Sequence, residues 1–159
     1  MAGRSTPATM AVSASGVAHQ IHEYTHDTGT ASYGSEAALA LGVATERVFK
    51  TLIVDVDGKP HVAVAPVANK VSLKLLAAAV DGKYAAMVEP AIAQRITGYV
   101  VGGISPFGQR QRLPTVIDET AILFDTIYVS AGRRGLEISL GATDLANITN
   151  GIFAPIAAK

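Results

Sequence analysis

Residues 48–67 constrain the fold more than any other part of this chain. Two apolar runs, Val48–Val56 and Pro60–Val67, flank Asp57-Gly58, a dipeptide that readily takes φ > 0 and so closes a tight hairpin between antiparallel strands. Alternation along the first strand puts Val48, Lys50, Leu52 and Val54 on one face and Phe49, Thr51 and Ile53 on the other. Lysine apart, both faces are apolar or nearly so, the pattern of a strand covered on both sides. Lys50 conflicts with that pattern, because stripping an ammonium of water costs several kcal/mol. Two readings resolve the conflict. The strand lies at an edge and its lysine snorkels to solvent, or the lysine is a cationic donor in a pocket, aimed at a carbonyl, a phosphate or a ribose hydroxyl.

A second stretch, Gly98–Gly108, has the same double meaning. Tyr99-Val100-Val101 reads as a short strand that runs into Gly102-Gly103 and then into Ser105-Pro106-Phe107-Gly108. Glycine leaves its amides uncovered, so such a corner can offer N–H groups to a carbonyl oxygen or an oxyanion. It also serves as a plain strand end followed by a Pro-Gly turn.

Around these stretches the pattern alternates short helices with strands. Met1–Thr6 reads as a frayed tail, Pro7–Ser15 as a helix stopped near Gly16, and Val17–His26 as extended chain. Thr28–Ser35 is a polar loop whose Ser35 caps a helix through Leu41, and Ser72 caps Leu73–Val80. Tyr84–Val88 is a strand, and Glu89-Pro90 opens a helix that Gly98 stops. Thr115–Ile117 is a strand, with Ala121–Phe124 extending it or forming a separate turn. Thr126–Ser130 and Leu136–Leu140 then pair across a loop carrying Arg133 and Arg134. Thr143 caps a last helix, Asp144–Ile148, before an apolar end at Ile152–Ile156. No linker or internal repeat divides the chain, so residues 1–159 are expected to form one α+β domain. Its sheet is mixed or barrel-like, with short helices packed around it.

The totals narrow the function. Hydrophobic residues make up 49% of the 159 but aromatics only 6%, so the core is built of Ala, Val, Ile and Leu. No run of about 18 apolar residues spans a membrane, and no continuous apolar segment near the N-terminus suggests secretion, which makes the cytoplasm the expected compartment. With no cysteine there are no disulfides, thiolate metal sites or cysteine nucleophile. His19, His22 and His26 would share a face only in a helix, and their surroundings favour strand, so neither a metal nor another cofactor is expected. Thirteen basic residues balance thirteen acidic ones, whereas a domain that grips nucleic acid alone carries a basic excess.

Three motifs in order, Phe49-Lys50-Thr51-Leu52, Gly98–Gly108 and Thr126-Ile-Tyr-Val-Ser-Ala-Gly132, closely resemble the YbaK family of free-standing aminoacyl-tRNA editing proteins. That family is related to the editing insertion of bacterial prolyl-tRNA synthetases. The resemblance runs from about Tyr24 to the final helix and implies that fold, with deacylation of Cys-tRNA(Pro) as the activity. It carries the family's essential lysine onto Lys50, its pocket tyrosine onto Tyr24, the following threonine onto Thr51, and the strand-end serine onto Ser130. Gly102 and Gly103 match the pocket floor, with Ile104 completing a row of amides for the ester carbonyl, and Asp144 matches an aspartate opening the last helix. Asp144 is also where an acid suits the helix dipole. Ala131 stands where many relatives have a second glycine. The resemblance further implies that the substrate's own thiol attacks the ester, and that prolyl-tRNA synthetase, on the same tRNA, supplies the tRNA selectivity that a neutral domain lacks. Arg133 and Arg134 are candidates for contact with the RNA backbone, or a solvated turn. Two alternatives stay open: a cousin that clears Ala-tRNA(Pro), against which Thr51 argues, and a non-catalytic module that binds aminoacyl ends or a synthetase.

Overall fold

The computed structural model describes residues 4–26 and 33–158. Most of the expected polar loop 28–35 lies outside the described residues. The elements run α1 Pro7–Ser15, β1 His19–Glu23, α2 Tyr33–Leu41, β2 Phe49–Val56, β3 Lys59–Pro66, α3 Leu73–Ala79, β4 Ala85–Met87, α4 Pro90–Thr97, β5 Thr115–Asp118, β6 Ile127–Arg133, β7 Leu136–Leu140, α5 Ala142–Thr149 and β8 Ile152–Ala154.

The hairpin forms as its sequence demands. Asp57 and Gly58 turn at φ 51 and 85, and β2 pairs with β3 from Phe49↔Pro66 to Val56↔Lys59. Asp57 also accepts hydrogen bonds from the Lys83 and Tyr84 amides, each at 2.9 Å. The sheet built on this hairpin is mixed, in the order β4-β2-β3-β5-β8, with β3–β5 and β5–β8 parallel. A second, antiparallel sheet has the order β1-β7-β6, and a parallel bridge between Val48 and Tyr128 joins the two. This is the expected single α+β domain.

Both faces of the larger sheet are covered, as the β2 pattern required. Phe49, Ile53, Val62 and Val64 pack with Val129, Ile138 and Leu140 of the smaller sheet and with α1 and α5. On the opposite face Val54, Val56, Ala63 and Ala65 meet Leu76 and Ala77 of α3 and Ile156 of the C-terminal segment. Asp118 fastens that segment: buried at the end of β5, one of its carboxylate oxygens accepts from the Ile156 and Ala157 amides at 2.9 and 3.0 Å.

Several boundaries differ from expectation, each for a local reason. Thr6 is no part of a frayed tail. It N-caps α1 in a reciprocal box with Thr9, and its hydroxyl also donates to the Ala131 carbonyl. Residues 1–3 of that tail lie outside the described residues. Helix α2 starts at Tyr33, so Ser35 sits inside it, and α5 is capped by Gly141 without a side-chain bond, so Thr143 is an exposed helix residue. Ala121–Phe124 contributes to a 3-10 turn, Glu119–Leu123. Strand β6 continues past Ser130 to Arg133 through a bulge, helped by Gly132 at φ 105.

The largest difference falls on Tyr99-Val100-Val101, which forms no strand. Gly98 ends α4 at φ 82, and the amides after it are satisfied by side chains instead of a neighbouring strand: Tyr99 N–H by Thr97 Oγ1 and Val101 N–H by Gln94 Oε1. The buried Tyr99 hydroxyl donates to the Phe107 carbonyl at 2.7 Å and ties the loop to itself. The stretch is a packed loop, fixed by tyrosine and glutamine bonds that hydrophobic periodicity does not register.

Candidate functional site

Strand β4 pairs only with Val54–Val56, so the preceding part of β2 has an edge with no partner strand on that side. A cavity of about 330 Å³ opens there. Its walls come from β2, from the loop after α4 at Val101, Gly102 and Ile104, from the β6–β7 pair at Ser130 and Glu137, and from Tyr24 and Tyr33. Because the cavity borders the strand's edge, Lys50 and Thr51, from opposite faces of β2, both line it.

Lys50 is half-buried, and its Nζ donates to the Asn69 carbonyl at 2.6 Å. Burial, and secondarily the positive charge of Lys70, push its pKa below the usual lysine value. The two sequence readings therefore merge: the strand is an edge where the lysine stands, and the edge faces a cavity. Thr51 is 8% exposed, and its buried Oγ1 has no hydrogen-bond partner among the described residues. A buried hydroxyl without a partner is uncommon because it forfeits water without replacement. A ligand in this cavity would supply one.

The glycine pair divides its labour. Gly102 lines the cavity at φ 87, and a Cβ there would lie 2.7 Å from the Tyr33 ring. Gly103 is set behind it, where a Cβ would lie 2.8 Å from the Arg133 Cα. Its amide donates to the Val100 carbonyl at 2.9 Å and is thus unavailable to an oxyanion, contrary to the expected row of three amides. The Gly102 and Ile104 amides make no such bond among the described residues.

Ser130 lines the cavity, with its Oγ accepting from the Gly132 amide at 3.3 Å. Tyr24 follows β1, its amide held by the Gly135 carbonyl, and its hydroxyl is raised to a pKa of about 12, chiefly by burial and then by Glu137. Asp144 is not brought to the cavity. It sits in the first turn of α5, where a carboxylate suits the helix dipole. Arg134 and Arg133 do not project as a free basic turn. Arg134 donates to the Val101 carbonyl at 2.9 Å and lies 4.6 Å over the Tyr33 ring, so it braces the cavity wall, and Arg133 reaches Glu23 at 3.7 Å. The histidines are dispersed as well: His19 contacts the Val17 carbonyl, His22 Ser139, and His26 Glu36. Among the described residues no cluster suited to a metal occurs, and no helix is long and apolar enough to cross a membrane.

Sequence reasoning missed two polar wall residues, Tyr33 and Glu137. Glu137 is the cavity's one carboxylate among the described residues, faces Ser130 and His22 across its neighbouring strands, and is only 6% exposed. Burial raises its pKa to about 8, so the neutral acid dominates at pH 7. Its folded-state pKa lies above the unfolded value, so the protein binds an extra proton when folded between about pH 4.5 and 8, and stability falls as pH rises through that window. Glu137→Gln is therefore expected to flatten this dependence. Between pH 5 and 8 the wild type should lose stability relative to the variant by a few kcal/mol, on the order set by about 1.4 kcal/mol per pKa unit. Urea midpoints of the two proteins at both pH values measure it, and parallel pH profiles would show that Glu137 titrates normally.

The family model described as "Aminoacyl-tRNA editing domain" matches residues 28–148. A protein of Enterococcus faecalis named "Putative Cys-tRNA(Pro)/Cys-tRNA(Cys) deacylase EbsC" is 40% identical over 124 residues, covering 77% of this chain and 75% of the relative. Among solved structures, "a putative trans-editing enzyme for prolyl tRNA synthetase" superposes with a TM-score of 0.85 at 21% identity, over 98% of this chain and 99% of the other. A structure described as a hypothetical protein gives a TM-score of 0.86, also at 21% identity, over 96% and 100%. These two likenesses carry the fold. With a family match spanning most of the chain and a relative at 40% identity, this protein belongs to the aminoacyl-tRNA editing domain family.

Proposed function

We propose that this protein deacylates mischarged Cys-tRNA(Pro), with the cavity beside β2 as its site. The observation that carries the reading is the character of the cavity wall: one cation, Lys50, a buried threonine hydroxyl without a partner, and two uncommitted amides at Gly102 and Ile104. These are groups that hold and polarise an ester. Among the described residues the wall offers no cysteine or histidine to attack one.

An aminoacyl ester is already activated, so a site can work by orienting it and stabilising charge that develops on its carbonyl oxygen. Lys50 donates to the terminal ribose and ester oxygens. The Gly102 and Ile104 amides take the carbonyl oxygen, and Tyr24, Thr51 and Ser130 fix the aminoacyl group. The substrate's thiolate, on the carbon next to the α-carbon, adds to the carbonyl. The carbon–oxygen bond to the ribose breaks, the ribose oxygen takes up a proton, and the cyclic thioester released is hydrolysed by water to cysteine. Glu137, neutral at pH 7, faces the same space as a hydrogen-bonding group rather than as a fixed counter-charge. The resting volume suits the aminoacyl group and part of the ribose, at the small end of ligand sites of roughly 300–1,000 Å³. The rest of the tRNA then lies outside, where zero net charge gives weak grip, so prolyl-tRNA synthetase on the same tRNA would supply tRNA choice. The relative's printed name, a Cys-tRNA(Pro)/Cys-tRNA(Cys) deacylase, supports this substrate class. Incubating the purified protein with Cys-, Ala- and Ser-charged tRNA(Pro) tests it: rapid loss of cysteine alone is expected, and preferred loss of alanine would favour the Ala-tRNA(Pro) cousin.

A further inference from the structure

We propose that Arg95, Arg110 and Arg112 form the surface on which backbone phosphates of the tRNA acceptor end lie as the RNA leaves the cavity. This rests on the deacylase reading of the site and adds a partner surface which that reading lacks. Between Glu89 and Asp118 the chain has three charged residues, and all three are arginines. The thirteen acidic residues and the other ten basic ones lie elsewhere, so a chain of zero net charge is basic here and acidic in its remainder. The same segment builds one wall of the cavity, through Pro90 and Ala93 of α4 and through Val101, Gly102 and Ile104 after it. The arginines and that wall therefore belong to one piece of structure.

Backbone bonds gather the three residues at one end of α4. Arg95 stands in the last turn of that helix. The loop carrying the other two folds back onto it: the Arg110 amide donates to the Thr97 carbonyl at 3.0 Å, and the Gln111 amide to the Ile96 carbonyl at 3.3 Å. The Arg110 guanidinium covers Gly98, where a Cβ would lie 3.3 Å from its Nε. At 1.5 Å of rise per residue, Arg95 and Gly98 lie about 3 and 8 Å farther along the axis than Ala93 on the cavity wall. All three arginines are exposed, and none has an ion-pair partner among the described residues. The one bond their side chains make runs from Arg112 to the Ile148 carbonyl at 3.4 Å. A cation at a helix C-terminus also complements the helix dipole, so part of their role is local. Guanidinium groups with no carboxylate to hold them nevertheless stay open to phosphate oxygens, whose geometry they match. Such contacts position an RNA backbone without reading its sequence, which suits a domain that leaves tRNA choice to another protein.

The test compares Cys-tRNA(Pro) with the cysteinyl ester of adenosine, which has the reacting groups and no phosphate. In Arg110→Ala/Arg112→Ala, kcat/KM for Cys-tRNA(Pro) should fall about tenfold, mainly through KM, while the adenosine ester reacts as with the wild type. Between about 50 and 200 mM salt, the dependence of log kcat/KM on log salt should flatten by about 1.4, since each phosphate contact to a single strand contributes about 0.7. Arg110→Lys/Arg112→Lys should keep most of the rate and the slope. Lys59→Ala/Lys83→Ala, which removes the same charge beside the Asp57-Gly58 turn, should leave both near wild type. An unchanged rate and slope in the arginine-to-alanine variant overturns the surface. An equal loss on the adenosine ester does so too, because it would make the arginines structural, and an equal loss in the lysine variant would mean that net charge alone matters. A loss confined to assays containing prolyl-tRNA synthetase would assign the arginines to a protein partner and likewise overturn it. Binding of uncharged tRNA(Pro), followed by fluorescence anisotropy at low salt, reads the same surface without turnover. A protein that deacylates nothing but loses tRNA affinity with these arginines would refute the deacylase reading and leave the surface standing.

Discussion

Lys50→Ala is expected to lower kcat/KM for Cys-tRNA deacylation by roughly 10²–10³-fold, the range seen when one donor to a developing oxyanion is removed. The cavity has no second cation to take over, since Lys50 is its one positive group among the described residues. Stability should hardly move. The lysine is half-buried, its charge is disfavoured there, and its single bond runs to a backbone carbonyl that water can reach once the side chain is gone. A change within about 1 kcal/mol is expected. Single-turnover rates and a urea melt on the same preparation separate the two effects. A folded Lys50→Ala protein with wild-type rates would remove Lys50 from the chemistry.

Gly102→Val should cost activity on a similar scale, about 10²-fold or more, for two geometric reasons. The residue sits at φ 87, which side chains rarely adopt, and the new Cβ would meet the Tyr33 ring at 2.7 Å. Tyr33 cannot simply yield, because the Arg134 guanidinium lies 4.6 Å over its ring and is itself bonded to the Val101 carbonyl. The strain therefore passes into the wall that carries the Gly102 and Ile104 amides, and a displacement of about 1 Å at a reacting centre costs on the order of 10²-fold. Gly103→Ala makes the comparison informative. Its Cβ meets the Arg133 backbone and not the cavity, so the damage there should appear first in stability. If Gly102→Val turns over substrate normally, the loop is only a corner.

The contrast between these glycines shows what the sequence could and could not reveal. The Asp57-Gly58 turn, the alternation along β2 and the misfit of Lys50 are local features, and each is realised in the fold. The use made of Gly102 and Gly103 depends on Tyr33 and Arg133, residues distant in sequence that no local pattern connects to the loop. Glu137 was hidden by its own regularity. In Leu136-Glu137-Ile138-Ser139-Leu140 the polar positions alternate with apolar ones, which reads as a strand with one solvated face. All five residues are buried, because the polar face of β7 is turned inward, where Glu137 meets the cavity and Ser139 the His22 ring. An acid opening the last helix, Asp144, drew attention instead, although its place in the first turn of α5 serves the helix. The Tyr99–Val101 segment failed as a strand because Thr97 and Gln94 side chains satisfy its amides, a tertiary detail outside any periodicity.

The reading of this site turns on where the nucleophile resides, and a comparison of Cys-tRNA(Pro) with Ser-tRNA(Pro) across pH 6–9 measures that directly. Pocket fit cannot separate the two strongly, since the hydroxyl is smaller than the thiol and a hydrophobic pocket discriminates by roughly 10–200-fold at best. Attack by the substrate's own sulfur can do more, because a thiol with a pKa near ~8.5 supplies thiolate where an alcohol supplies almost no alkoxide. The predicted result is a preference for Cys-tRNA(Pro) above about 200-fold, with a rate that rises as the substrate thiol ionises, although the protein has no cysteine of its own. Comparable rates for the two substrates, with no rise that follows thiol ionisation, would contradict the account and place the attacking group on the protein or on an activated water, with Ser130 the first side chain to replace.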